Sequence, residues 1–179
     1  MKSKGYRTAL GGLLSAFSIA IMLFGSILPF ATYIVPVVSS VTVVYFCIEY
    51  SKRHALLVYL VISLLSIFFV PDKEIAFVFA FIFGPYPILK SIFETKSKGF
   101  FCWLLKVVSF NLQVFITYFI LLKVFVSSVL VAEFMSYGSF MLIATIVVGN
   151  ITFVIYDIAL SRIISLYINR LQHHLKRKR

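Results

Sequence analysis

The sequence predicts an all-α integral membrane protein: a single domain of six transmembrane helices, with both termini in the cytosol. Three observations carry this. Hydrophobic residues make up 61% of the chain and charged ones only 13%, against roughly half and a quarter in a soluble domain. The excess is gathered into long runs, as bilayer crossing requires and a large buried core does not. The 17 Lys and Arg residues, which set a net charge of +11, fall almost entirely on one side once six spans alternate.

The elements follow in order. A basic lead (Lys2, Lys4, Arg7) precedes span one, residues 8–28, which ends at Pro29. A short uncharged link leads to span two, 34–48. Its Pro36 falls in the first turn, where a missing N–H costs little. Glu49 to His54 is a charged turn, in which Glu49 is expected to form a solvated ion pair with Lys52 or Arg53. Span three covers 55–70, and Pro71-Asp72-Lys73-Glu74 forms a compact turn. Span four, 75–92, contains Gly84-Pro85-Tyr86-Pro87. Each proline removes a backbone hydrogen bond and crowds the preceding turn, so a kink or break is expected there. A polar loop from Lys90 to Gly99 leads to span five, 100–126. Ser127 to Ser139 is looser, and span six, 140–168, is longer than a hydrocarbon core of about 30 Å needs. The chain ends in Lys176-Arg177-Lys178-Arg179.

With the N-terminus in the cytosol, 15 of the 17 basic residues lie on the cytosolic side. They are Lys2, Lys4, Arg7, Lys52, Arg53, Lys90, Lys96, Lys98, Lys106, Arg162, Arg170 and the four of the tail. Only Lys73 and Lys123 remain outside. This is the positive-inside pattern, and adding or removing one span would spoil it. The basic side faces anionic headgroups or an acidic partner surface. The charge placement argues against nucleic acid.

Span one carries Gly12, Ala16 and Ala20 at four-residue spacing. Residues i and i+4 stack on one helix face, and small residues let membrane helices approach closely. The stripe therefore serves either as a docking face for another membrane protein or as a contact with a neighbouring helix of the same chain.

Polar groups inside spans are costly and usually paired. Lys106 and Gln113 share one face of span five, and Asn150 and Asp157 one face of span six. In an antiparallel arrangement Lys106–Asp157 and Gln113–Asn150 meet in a single register. An interhelical staple is expected, and an ion relay is the sharper alternative. Asn111 and Tyr118 lie on another face of span five. Thr145, Gly149, Thr152 and Tyr156 mark a second stripe on span six. One such face either lines an outward cavity or packs against a neighbour.

Asp72 and Glu74 are expected to be solvated in their turn, a cation site on the outer side being the sharper alternative. Cys47 and Cys102 are expected to be reduced, and neither they nor His54, His173 and His174 have metal-ligand spacing. No metal or cofactor is expected. The nucleotide-binding P-loop pattern and the serine-elbow, zinc-protease and paired-cysteine motifs are all lacking. Nothing here points to an enzyme or a self-contained pump.

The size, the six spans, the cytosolic ends and the Gly12–Ala16–Ala20 stripe, with the segments Leu10–Pro29 and Phe83–Lys90, resemble the S component of an energy-coupling factor (ECF) transporter. That family docks through an Ala-x-x-x-Ala motif, and Gly12 in place of Ala preserves a smooth face. The resemblance implies a substrate-capture subunit in a bacterial plasma membrane. Its partners would be a membrane coupling subunit and two cytosolic ATPases, and its ligand a vitamin or vitamin precursor taken from outside. Carried onto this chain, the ligand region includes Thr32, Tyr33, Asn111, Tyr118, Tyr137 and Asn150. Few charges lie outside, so a neutral or weakly polar organic solute is expected. A small secondary transporter coupled through Lys106 and Asp157, or a ligand-free membrane scaffold, are the rival readings.

Overall fold

The computed structural model describes residues 4–28, 31–97, 99–124 and 139–176. Among them every regular element is helical: α1 (Lys4–Gly25), α2 (Ile34–Glu49), α3 (Lys52–Phe69), α4 (Lys73–Val78), a π-helical stretch (Phe79–Phe83), α5 (Tyr86–Lys96), α6 (Gly99–Val124) and α7 (Ser139–Lys176). Five stretches are long and apolar enough to cross a membrane: Gly5–Gly25, Lys52–Phe69, Lys73–Lys96, Gly99–Leu121 and Ile146–Asn169. This points to a multi-pass membrane protein. The apolar α2, at 16 residues, is shorter than a helix that spans about 30 Å unaided. The chain divides into two compact units, Met1–Val126 and Ser127–Arg179.

In the first unit α1, α2 and α3 pack on one another. The face that α1 buries is Gly11, Ser15, Ser18, Met22 and Gly25, repeating at the alternating three- and four-residue steps of a packed seam. It meets α2 through hydroxyls. Ser18 Oγ lies 2.8 Å from Thr42 Oγ1, and Ser39 Oγ donates to the Ser18 carbonyl at 3.2 Å. In lipid, where apolar contact with a tail is no worse than contact with a helix, such bonds and close approach hold helices together. Beneath this seam Met22, Val35, Val43, Phe46, Ala55, Val58, Ile62 and Phe79 form the apolar core.

The rod from Lys73 to Lys96 is the centre of the unit. It is 72% buried, against 22–28% for the long helices Gly5–Gly25, Lys52–Phe69 and Gly99–Leu121, and it touches α2, α3 and α6. The expected break at Pro85 takes the form of a π turn. Gly84 N donates five residues back to the Phe79 carbonyl at 2.8 Å. In that register the next donor should be residue 85, and proline has none. The Ala80 carbonyl is left over, and the Tyr59 hydroxyl from α3 donates to it at 2.8 Å. Gly84 is required by space: a Cβ there would lie 2.7 Å from the Phe79 carbonyl oxygen and 2.8 Å from the Tyr59 ring. Pro85 and Pro87 then sit at the start of α5, where proline is tolerated.

The polar loop expected from Lys90 begins only after Lys96, because α5 runs that far. Lys and Glu are good helix formers, and their polarity alone does not end a helix. The second unit is described by α7, 38 residues in one helix. That is longer than the span expected over 140–168.

Candidate functional site

The short links between helices sort the polar groups of the first unit into two clusters at its opposite ends. At one end lie the start of α1, the α2–α3 turn, the end of α5 and the start of α6. Here Arg7 stacks over the Tyr50 ring, 5.7 Å from its centroid. Lys52 Nζ donates to the Ser91 carbonyl at 3.1 Å and to Thr95 Oγ1 at 3.4 Å. The buried Lys90 and Lys106 share one carboxylate: Glu94 Oε1 lies 3.5 Å from Lys90 Nζ and 2.7 Å from Lys106 Nζ. The acid facing these lysines stands one helical turn beyond Lys90. The sequence reading had put this segment in a loop, and so missed it as a partner for Lys106.

At the other end lie the approach to α2, the start of α4 and the last third of α6. Each contributes one group to a second cluster. Tyr33 OH donates to Glu74 Oε1 at 3.1 Å and lies 2.8 Å from Tyr118 OH. Burial of its hydroxyl end, with the adjoining phenol and carboxylate, pushes Tyr33 far above the ordinary phenol range. Tyr33 therefore stays a neutral donor at any working pH.

The local sequence explains the placement. Asp72 caps α4, its Oδ1 accepting from Glu74 N at 2.9 Å and from Ile75 N at 3.4 Å, the usual task of an Asp at a helix start. Lys73 turns back to the end of α3, where its Nζ donates to the Ile67 and Val70 carbonyls at 2.9 and 3.0 Å. Those carbonyls have no further helical donor and favour a cation. Two of the three charges in the turn thus serve the backbone, and Glu74 is turned toward the tyrosines.

The structure brings together Tyr33 and Tyr118 of the residues expected to bind ligand, with Thr32 half-buried beside Tyr33. Asn111 directs its Nδ2 to the Val107 carbonyl of its own helix at 2.9 Å, and Asn150 likewise to Ile146. Tyr137 lies outside the described residues, as do Lys2, Lys98, the segment 125–138 and the last three tail residues. The Lys106–Asp157 and Gln113–Asn150 pairings join residues of different units and remain sequence expectations. Gln113 Oε1 is buried and accepts no hydrogen bond among the described residues. Glu74 is the site residue that sequence reasoning ranked as solvated, with an outer cation site as the alternative. The available signal was its place beside an Asp-Lys pair whose charges a helix start and a helix end absorb.

The Gly12–Ala16–Ala20 stripe lies off the face that α1 buries. Gly12 and Ala16 are exposed, and a Cβ at Gly12 would meet nothing within 4 Å. Gly11, one residue earlier and about 100° round the helix, is the glycine that faces Val58 and Phe46. Among the described residues no three His, Cys, Asp or Glu side chains gather as a metal site. Compared with protein-family models, curated proteins and solved structures, the chain matches none.

Proposed function

We propose that this chain is the substrate-capture subunit of an ECF-type importer, crossing the bacterial plasma membrane six times with both termini in the cytosol. The observation that carries the reading is the Tyr33–Glu74–Tyr118 cluster. Polar groups from three separate elements meet at the end opposite the Lys52, Lys90 and Lys106 cluster, and Glu74 there has no backbone task. In the proposed orientation this end faces outside, and a small organic micronutrient binds at it. The Gly12–Ala16–Ala20 stripe, exposed at Gly12 and Ala16, supports docking on a membrane coupling subunit, with two cytosolic ATPases supplying the energy. Lys106 lies against Glu94, which supports a stapling role for it over an ion relay.

The test is native mass spectrometry of the chain purified from cells. A capture subunit retains a small molecule, and a scaffold retains none. Uptake driven by an ion gradient in liposomes holding this chain alone would overturn the importer reading in favour of a secondary transporter.

A further inference from the structure

At the Tyr33–Glu74–Tyr118 end the charges do not balance locally. Asp72 is committed to the α4 start, and Lys73 to the α3 carbonyls. Lys123, the other cation expected at this end, holds its ammonium over the Phe119 ring, 5.9 Å from the centroid. Among the described residues the Glu74 carboxylate has tyrosine for a partner and no cation within ion-pair distance. The nearest charge that acts on it is the like charge of Asp72. An ionised carboxylate has about four acceptor positions, and the hydroxyls of Tyr33 and Tyr118 do not fill them all. The Tyr33 side chain is half exposed, so the cluster is reachable. Phenol rings beside a carboxylate also suit a cation through their negative faces.

We infer that the captured solute is an organic cation, whose protonated or quaternary nitrogen sits against Glu74 between Tyr33 and Tyr118. This rests on the substrate-capture reading and replaces the neutral or weakly polar solute expected from sequence, where solvation of Glu74 was preferred over a cation site. The tyrosine hydroxyls hold the carboxylate in place. The ligand supplies the charge that Lys73 and Lys123 do not.

The test uses the full chain in detergent, as wild type, Glu74→Gln and Tyr33→Phe. Thermal unfolding is followed with three probes matched in size and differing in charge, at millimolar concentration: phenethylammonium, 2-phenylethanol and phenylacetate. Native mass spectrometry reads any molecule retained from the cells. The expected result is that phenethylammonium alone raises the melting temperature of the wild type and not of Glu74→Gln. Any retained molecule carries positive charge near neutral pH, and its occupancy falls about tenfold or more in Glu74→Gln. Should that variant fail to fold, Tyr33→Phe is expected to show a weaker loss in the same direction. Stabilisation by the neutral or anionic probe instead, or an effect that survives both substitutions, overturns the cation assignment and leaves solute capture standing. A wild-type chain that retains nothing and responds to no probe overturns both.

Discussion

The two ends of the first unit handle charge in opposite ways. At the basic end two lysines reach across helices, Lys52 to the Ser91 carbonyl and Lys106 to the Glu94 carboxylate, and Lys90 meets the same carboxylate from one turn away on α5. At the tyrosine end Glu74 is held by the phenol hydroxyls of Tyr33 and Tyr118, neutral partners in place of a cation. The same rod carries both acids, Glu74 near its start and Glu94 near its close. The lesson is that a charged residue in such a bundle is read by what neutralises it. A carboxylate facing two lysines is a fastening, and a carboxylate facing phenols is, in the proposed function, a receptor.

The substitutions with the largest expected effect separate the two ends by function. Gly12→Leu or Ala16→Leu places a bulky side chain on the exposed stripe of α1, near the basic end. Uptake is expected to fall to background, while retained ligand measured by native mass spectrometry stays unchanged. Neither residue belongs to the buried seam, so the melting temperature should barely move. Uptake that survives would sink the docking assignment. At the tyrosine end the expected failure is the reverse, since Tyr118→Phe should lower ligand occupancy without disturbing folding. A combined loss of stability and occupancy there would mean that the cluster is a staple like its counterpart.

Next in size is the fastening itself. Glu94→Gln leaves Lys90, 2% exposed, and Lys106 without the carboxylate they share. Removing one partner of a buried pair costs about 3–5 kcal/mol, and the 47% exposure of Glu94 brings screening that reduces this to about 1–3 kcal/mol. The measurement is the midpoint of thermal or denaturant unfolding in detergent. Glu74→Gln, run in parallel, is expected to shift it far less. Equal shifts would erase the contrast between the ends.

Much of the fold was legible because membrane spans obey few rules. Apolar runs placed α1, α2, α3 and α6 to within a few residues, and Pro85 marked the interruption of the central rod. Tyr33 and Tyr118 were named together only through the family resemblance, and the structure brings their hydroxyls within 2.8 Å. Three things were not legible. Small residues suggested the Gly12 face of α1, yet the packed face uses Gly11, Ser15 and Ser18, because hydroxyls that bond across helices count as packing residues in lipid. Glu94 was hidden because α5 continues past Lys90 through residues that look like a loop and are sound helix formers. The tyrosine partners of Glu74 were hidden because a turn holding Asp, Lys and Glu reads as self-neutralising. Only the structure shows that Lys73 is drawn to the α3 carbonyls and Asp72 to the α4 start.

The smallest expected effect tests the link between the ends. Tyr59→Phe removes one hydroxyl and keeps the ring that fills the space beside Gly84. The Ala80 carbonyl then loses the donor that stands in for the missing N–H of Pro85. A neutral hydrogen bond contributes about 1 kcal/mol, and an orphaned buried acceptor costs about 1–3 kcal/mol, so a modest fall in stability is expected. The more telling readout is hydrogen exchange along 79–89. If the tyrosine pins the π turn, exchange should quicken there while the neighbouring α3 amides stay protected. Because this turn joins the half-rod bearing Glu74 to the half-rod bearing Glu94, loosening it should weaken ligand retention without touching either acid. Unchanged exchange across the turn would mean that backbone geometry set by Pro85 and Pro87 holds it alone, and that the two ends are joined more stiffly than the hydrogen bonds imply.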